Sequence, residues 1–376
     1  MRYLIAGYGL LLLLAPGIAG AQSGPQGITT PEVLPTFDPT RPRCTAPPEM
    51  RKVLAFAQDN QREFMMSVGR GLAAAARDRG LGFEVSLAAN DPVKMVTQLA
   101  AMRATGVGAV VAAPVDPESL APALQTMIWA GAYVGTIVPP PATSLLNAPQ
   151  YLTGKVLADA AVAYIRTRLG GKAKIVLLTH DNLQFLAPRF VAMRDALAAL
   201  PGVTIVADIS PATVDQAGGR AMMQTILLAH PDIDGVLGAD TVVLGALAAL
   251  RDAGKARPDQ FLGGIDGEPD AVSEIRKGNA PYKASVSLAA PIFAYAMGQH
   301  AADWLEGKSI PQAMDILPLA LTAQNLAAYE TDTQNPGAVY ADPARRAQYL
   351  KMYGNICYDS RNQYINFAWS SEAVAK

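Results

Sequence analysis

The chain of 376 residues is 51% hydrophobic and carries 31 Lys and Arg against 32 Asp and Glu, a formal charge of −1. That balance excludes a basic surface for nucleic acid or for an anionic membrane. The composition is globular, with length enough for two domains.

At the N-terminus Arg2 precedes an apolar run over residues 4–15, and Ala19-Gly20-Ala21 forms an A-x-A site. This is a secretory signal peptide over residues 1–21, which places the mature protein in the periplasm. The run is shorter than the ~20 residues that span a bilayer. The chain has two cysteines, Cys44 and Cys357. An even pair in an exported protein suggests a disulfide, the other possibility being two unpaired thiols. Bonded, they would pin an extended lead-in (residues 22–50) to a C-terminal tail (residues 335–376).

The fold starts with the strand KVLAFA (52–57). A helix with apolar spacing follows over 64–78, then a strand over 83–87. Asp91 and Pro92 open the next helix as cap and first residue. Residues 106–138 read as one strand–helix–strand unit. Val107 to Ala112 is apolar on both alternating faces, as in a parallel sheet covered by helices. Pro114 and Pro117 end that strand, Leu120, Leu124, Met127 and Ile128 recur at helical spacing, and Gly131 ends the helix. After Pro139, Pro140 and Pro141 the alternation restarts, with helices over 154–169, 190–200, 215–230, 242–253 and 291–305. Strands are predicted over 174–178, 203–207, 235–238, 261–265 and 283–286. Alternation with no antiparallel run predicts an α/β protein of two doubly wound parallel-sheet lobes. Ligands in such sheets sit outside the carboxyl ends of the strands.

No G-x-S-x-G elbow, H-E-x-x-H pair or Gly-rich phosphate loop occurs, which speaks against an enzyme. His180, His230 and His300 fall on different elements, so no metal cluster is expected. No cofactor is implied.

Three strings carry a family resemblance: NDPVKMVTQLAAMRATGVGAVVAAPVDPESLAPAL (90–124), HPDIDGVLGADTVVLGALAALRDAGK (230–255) and FLGGIDGEPDAVSEIRKG (261–278). Over about residues 51–320 the chain resembles the periplasmic sugar-binding proteins of the ribose/galactose type. These have the type I solute-binding fold and are related to LacI-type ligand domains. The resemblance implies two lobes, 51–153 plus 289–318 and 154–288 plus 319–334. It implies a three-segment hinge near 152–155, 286–289 and 317–322. It also implies a ligand in the cleft and a membrane transporter permease as partner. A monomer is expected.

Matched to the family's site, Phe64 and Met65 stand where an aromatic pair stacks on the sugar, with Asn60 in the same loop. Arg189 matches an arginine of the second lobe and Asp266 a ligand-binding aspartate. Val138 and Pro139 replace an Asp-Arg pair. Ala239 replaces the asparagine before Asp240, Val214 an aromatic, and Ser287 and Leu288 fall at a polar hinge position. Each lost charge-assisted hydrogen bond would weaken a sugar by about 1.5–3 kcal/mol. The ligand implied has an apolar body and one or two polar groups met by Arg189 and Asp266. Three roles fit: a binding protein for an ABC importer, a carrier of a lipid-like ligand such as a sterol, and the sensing subunit of a receptor.

Overall fold

A computed structural model of the chain describes residues 24–113, 115–137, 140–180 and 183–374. The segment over residues 1–21 read as a signal peptide, Val138 and Pro139 lie outside the described residues.

The first half alternates as read: β1 (Arg51–Gln58), α1 (Glu63–Asp78), β2 (Gly82–Leu87), α2 (Pro92–Ala104), β3 (Val107–Ala112), α3 (Pro117–Ala130), β4 (Tyr133–Ile137) and β5 (Ser144–Asn147). All six residues of β3 are buried, because helices cover both faces of the sheet. The Asp91 side chain caps α2, accepting from the Lys94 amide at 3.1 Å. Asp116 does the same for α3 through the Glu118 amide at 3.3 Å, and Gly131 ends that helix at a φ of 106°.

The second half runs α4 (Gln150–Arg168), β6 (Ala173–Leu178), α5 (Ala187–Ala198), β7 (Val203–Ile209), α6 (Gln216–Ala229), β8 (Gly235–Leu237), α7 (Asp240–Asp252), β9 (Phe261–Asp266), α8 (Pro269–Arg276) and β10 (Tyr282–Ser287). Then come α9 (Ala290–Leu305), β11 (Ala313–Ile316), β12 (Leu319–Leu321), α10 (Leu326–Gln334), α11 (Pro336–Ala341), α12 (Pro343–Arg346) and β13 (Leu350–Tyr353). A 3₁₀ segment (Tyr358–Gln363) and α13 (Ser371–Val374) close the described chain.

Two sheets result, ordered β13-β11-β5-β4-β3-β1-β2 and β12-β10-β9-β8-β6-β7. The expectation of no antiparallel pairing is corrected at two edges: β13 runs antiparallel to β11 and β12 to β10. Both are short strands that follow the lobe crossings. The remaining pairs are parallel, so the fold is two doubly wound lobes.

The chain passes between lobes near the three segments that the resemblance implies, before α4, between β10 and α9, and between β11 and β12, and a fourth time between β12 and β13, which returns the tail to the first sheet. The first crossing lies at residues 148–149, ahead of the 152–155 that the resemblance implies. Pro149 already caps α4 there, with the Thr153 hydroxyl donating to its carbonyl at 2.7 Å. At the second crossing Ala289 has a φ of 48°, held by its amide donating to Ser287 Oγ at 2.8 Å.

The lead-in and tail lie together on the outside of the first lobe. Ile28 bridges Ile365 and Thr36 bridges Tyr353. The Trp369 indole donates to the Glu32 carbonyl at 3.0 Å. Leu34, Ala142, Leu145, Ala313, Ile365 and Trp369 form a separate apolar cluster beneath them. Cys44 and Cys357 are joined as a disulfide.

His300 on α9 is 2% exposed, and neither of its ring nitrogens has a hydrogen-bond partner among the described residues. Its ring meets the Tyr340 ring edge-on at 6.1 Å. Burial pushes its pKa down from 6.5 to about 4, with Asp303 opposing and Arg346 and Arg79 reinforcing. The unfolded chain therefore takes up this proton first as pH falls. The stability that the neutral ring contributes at pH 7 is lost between 6.5 and about 4. Over that window the loss is about 3 kcal/mol. His300→Phe is expected to remove this slope. Urea denaturation of both proteins at pH 7 and pH 4 checks it, since other titrating groups cancel in the difference.

Candidate functional site

The turns at the carboxyl ends of β1 and β9 face each other across a cavity of about 800 Å³ of empty space, open to solvent. In the first turn, Asn60 is 8% exposed and its side chain is used locally. Its Oδ1 accepts from the Arg62 amide at 3.0 Å and from Arg62 Nε at 3.1 Å. Its Nδ2 donates to Asp59 Oδ2 at 2.8 Å. Asn60 thus positions Arg62 and Asp59 at the rim, and burial pushes the Asp59 carboxyl up.

Phe64 and Met65 are consecutive in α1, about 100° apart around the helix. Phe64 lines the cavity and packs on Phe293 with ring centroids 6.0 Å apart. Met65 turns into the core of the first lobe.

The second lobe supplies Arg189 and Asp266. Arg189 in α5 is 9% exposed, and its Nε donates to Gln150 Oε1 of α4. Burial pulls its pKa down while Asp266 opposes that shift. Asp266 ends β9 at a φ of 119°, an uncommon conformation for a residue with a Cβ, and lines the cavity. Burial raises its carboxyl pKa, and Arg189 and Arg62 pull it back.

Asp240 is fully buried at the start of α7. It accepts from Tyr282 Oη at 2.7 Å, Ser285 Oγ at 2.6 Å and the Glu268 amide at 2.8 Å. Its carboxylate is therefore an anchor for the 266–268 turn. Even so, burial pushes its pKa to about 6.

Ala239 caps α7 from a half-buried position, and Val214 packs half-buried against the core. Leu288 is buried at the hinge crossing. Its neighbour Ser287 carries the polar contact there, a 2.6 Å hydrogen bond to Tyr329 Oη. Of the residues singled out from sequence, the cavity brings together Phe64 and Asp266, with Arg189 beside Asp266.

Three further cavity residues had no signal in the sequence: Glu268, Tyr329 and Gln334. Tyr329 and Gln334 belong to α10, which lies along the cleft beside α8. Glu330 of α10 pairs with Arg276 of α8. The Glu268 carboxyl pKa is pushed up to about 8, by burial first and then by Asp266 and Asp240.

Residues 53–309 match the family described as periplasmic binding protein domain. The ribose import binding protein of Bacillus subtilis is 26% identical over 269 residues, spanning 69% of this chain and 83% of its own. An ABC transporter periplasmic solute binding protein from Actinobacillus succinogenes, solved with bound D-allose, superposes with a TM-score of 0.66 at 21% identity. That match covers 75% of this chain and 100% of the other. The 5-methylthioribose transporter solute binding protein of Thermotoga lettingae gives a TM-score of 0.66 at 19% identity, covering 80% and 95%. These structural likenesses show the fold. The relatives are binding proteins of importers, not enzymes. The matched segment takes in both lobes and the loops that meet at the cavity, and the chain belongs to the periplasmic binding protein domain family, in its type I fold.

Proposed function

We propose that this chain is a periplasmic solute-binding protein that captures one small molecule between its lobes and delivers it to the permease of an ABC importer. The observation that carries this reading is convergence. Phe64 and Arg62 from one lobe, and Arg189 and Asp266 from the other, meet at the carboxyl ends of the two sheets. Closure of the two lobes over the ligand couples binding to a surface that a permease can read. The ligand is less polar than a simple sugar. Its body lies on Phe64 and its polar groups meet Arg189 and Asp266, while Ala239 and Val214 offer it no side-chain hydrogen bond. The charged rim formed by Arg62, Asp266 and Glu268 disfavours a sterol, which would desolvate these groups without pairing them.

Calorimetric titration of the mature protein with ribose, D-allose, myo-inositol and 5-methylthioribose tests this reading. The expected result is one ligand per chain, with the thioether sugar ahead of ribose. Asp266→Ala should weaken the bound member at least ~10-fold, the loss of one charge-assisted hydrogen bond. Binding that is unchanged in Asp266→Ala would place the ligand elsewhere.

A further inference from the structure

We propose that the ligand of this cleft carries a positively charged amine and that Glu268 is the residue that receives it. The inference rests on the cleft being the ligand site and adds the chemical class of what it holds. The other acids of the cavity wall are compensated. Glu63 pairs with Arg70, Glu330 with Arg276, and Asp266 lies beside Arg189. Glu268 is the exception: among the described residues its carboxylate has no hydrogen bond and no ion pair, although it is half-buried. The charged neighbours that act on it are Asp266, Asp240 and Asp270, opposed by Arg62. Arg62 itself is turned to Asn60 through its Nε.

The backbone holds Glu268 in place. Its amide is fixed to buried Asp240 at 2.8 Å, and the Gly267 amide donates to Ser285 Oγ at 3.1 Å. The turn that carries Glu268 is therefore fixed at the cavity wall. Phe64 and Tyr329 line the same cavity, and aromatic faces attract cations. An ammonium group here supplies the missing partner in a partly desolvated site, where such a pair is strong. A neutral polyol brings no charge to stabilise the ionised form and leaves the acid protonated. Tyr329 lies on α10, beyond the segment matched to the family.

The test uses the mature, disulfide-bonded protein and matched pairs of probes. These are glucosamine against glucose, and 1-amino-1-deoxyribitol against ribitol, titrated at pH 7. The amine of a pair is expected to bind at least tenfold tighter than its neutral twin. Its binding should release a proton, read as a heat that varies with buffer ionisation enthalpy, because Glu268 is largely protonated in the empty cleft. Glu268→Gln should abolish both the preference and the proton release. Glu268→Asp should retain a reduced preference. Twins of equal affinity, or neutral twins bound more tightly, would overturn the amine and leave solute capture standing. So would binding of ribose or myo-inositol where neither amine binds. A preference that survives in Glu268→Gln would overturn the role of that residue. Failure of every solute, charged or neutral, would remove the capture reading as well.

Discussion

Asp240→Ala is expected to lower folding stability by about 3–5 kcal/mol and to abolish ligand affinity in the cleft. The carboxylate is fully buried and satisfies three donors: the Tyr282 hydroxyl, the Ser285 hydroxyl and the Glu268 amide. Alanine leaves all three buried with no acceptor. Each orphaned group costs about 1–3 kcal/mol, partly offset by removing a desolvated carboxyl. The effect reaches function because the same contacts hold the turn that carries Asp266 and Glu268. Asp240→Asn separates the two contributions. Asparagine keeps one acceptor and carries no charge, so its loss should be smaller. The wild-type carboxyl has its pKa raised from 3.8 to about 6, so its contribution to stability falls as pH rises through that window. The deficit of the asparagine variant relative to wild type should therefore shrink between pH 4 and pH 7. Denaturation midpoints of the three proteins at both pH values decide this. A flat difference would mean that Asp240 is already ionised at pH 4.

Loss of the disulfide has the second large effect. Cys44 and Cys357 are separated by 313 residues. Cross-linking so long a loop restricts the unfolded chain by an amount worth up to about 5 kcal/mol in the chain-entropy account. Native contacts depend on it as well. The Cys44 amide donates to the Gly307 carbonyl at 2.7 Å, and the Thr45 amide to Asp359 at 2.7 Å. Cys357→Ser, or reduction of the native protein, should lower the urea midpoint. It should also free the lead-in for tryptic cleavage after Arg43 before the lobes unfold. Ligand binding should survive, because the bridge lies on the outside of the first lobe. No change in midpoint on reduction would contradict a stabilising role.

What the sequence made legible follows from range of interaction. β3 could be read because its six residues are apolar on both faces, a local signature of a buried parallel strand. α3 could be read because Asp116, Pro117 and Gly131 mark its ends. β5 and β12 have four and three residues, too short for a period to show, and their pairing is set by distant partners. α10 carries no apolar stripe and buries only Leu326 and Tyr329. Its place along the cleft arises from the chain's return over α9, which no local pattern encodes. The site divides in the same way. Phe64 and Asp266 are singled out by the family resemblance, and both line the cavity. Asp240 was singled out as a ligand group from its neighbour Ala239, but its burial depends on Gly264, where a Cβ would collide with the Asp240 carboxylate. Glu268 carries no local signal, since only the folded turn shows that it lacks a partner among the described residues.

Native mass spectrometry of the protein, purified under mild conditions, tests most directly whether the cleft holds a small solute. The expected result is a single small-molecule adduct per chain, absent in Asp266→Ala, with the mass of a compact compound carrying an amine. A bare chain in both proteins, together with melting temperatures that no sugar, polyol or amine raises, would contradict solute capture in the cleft.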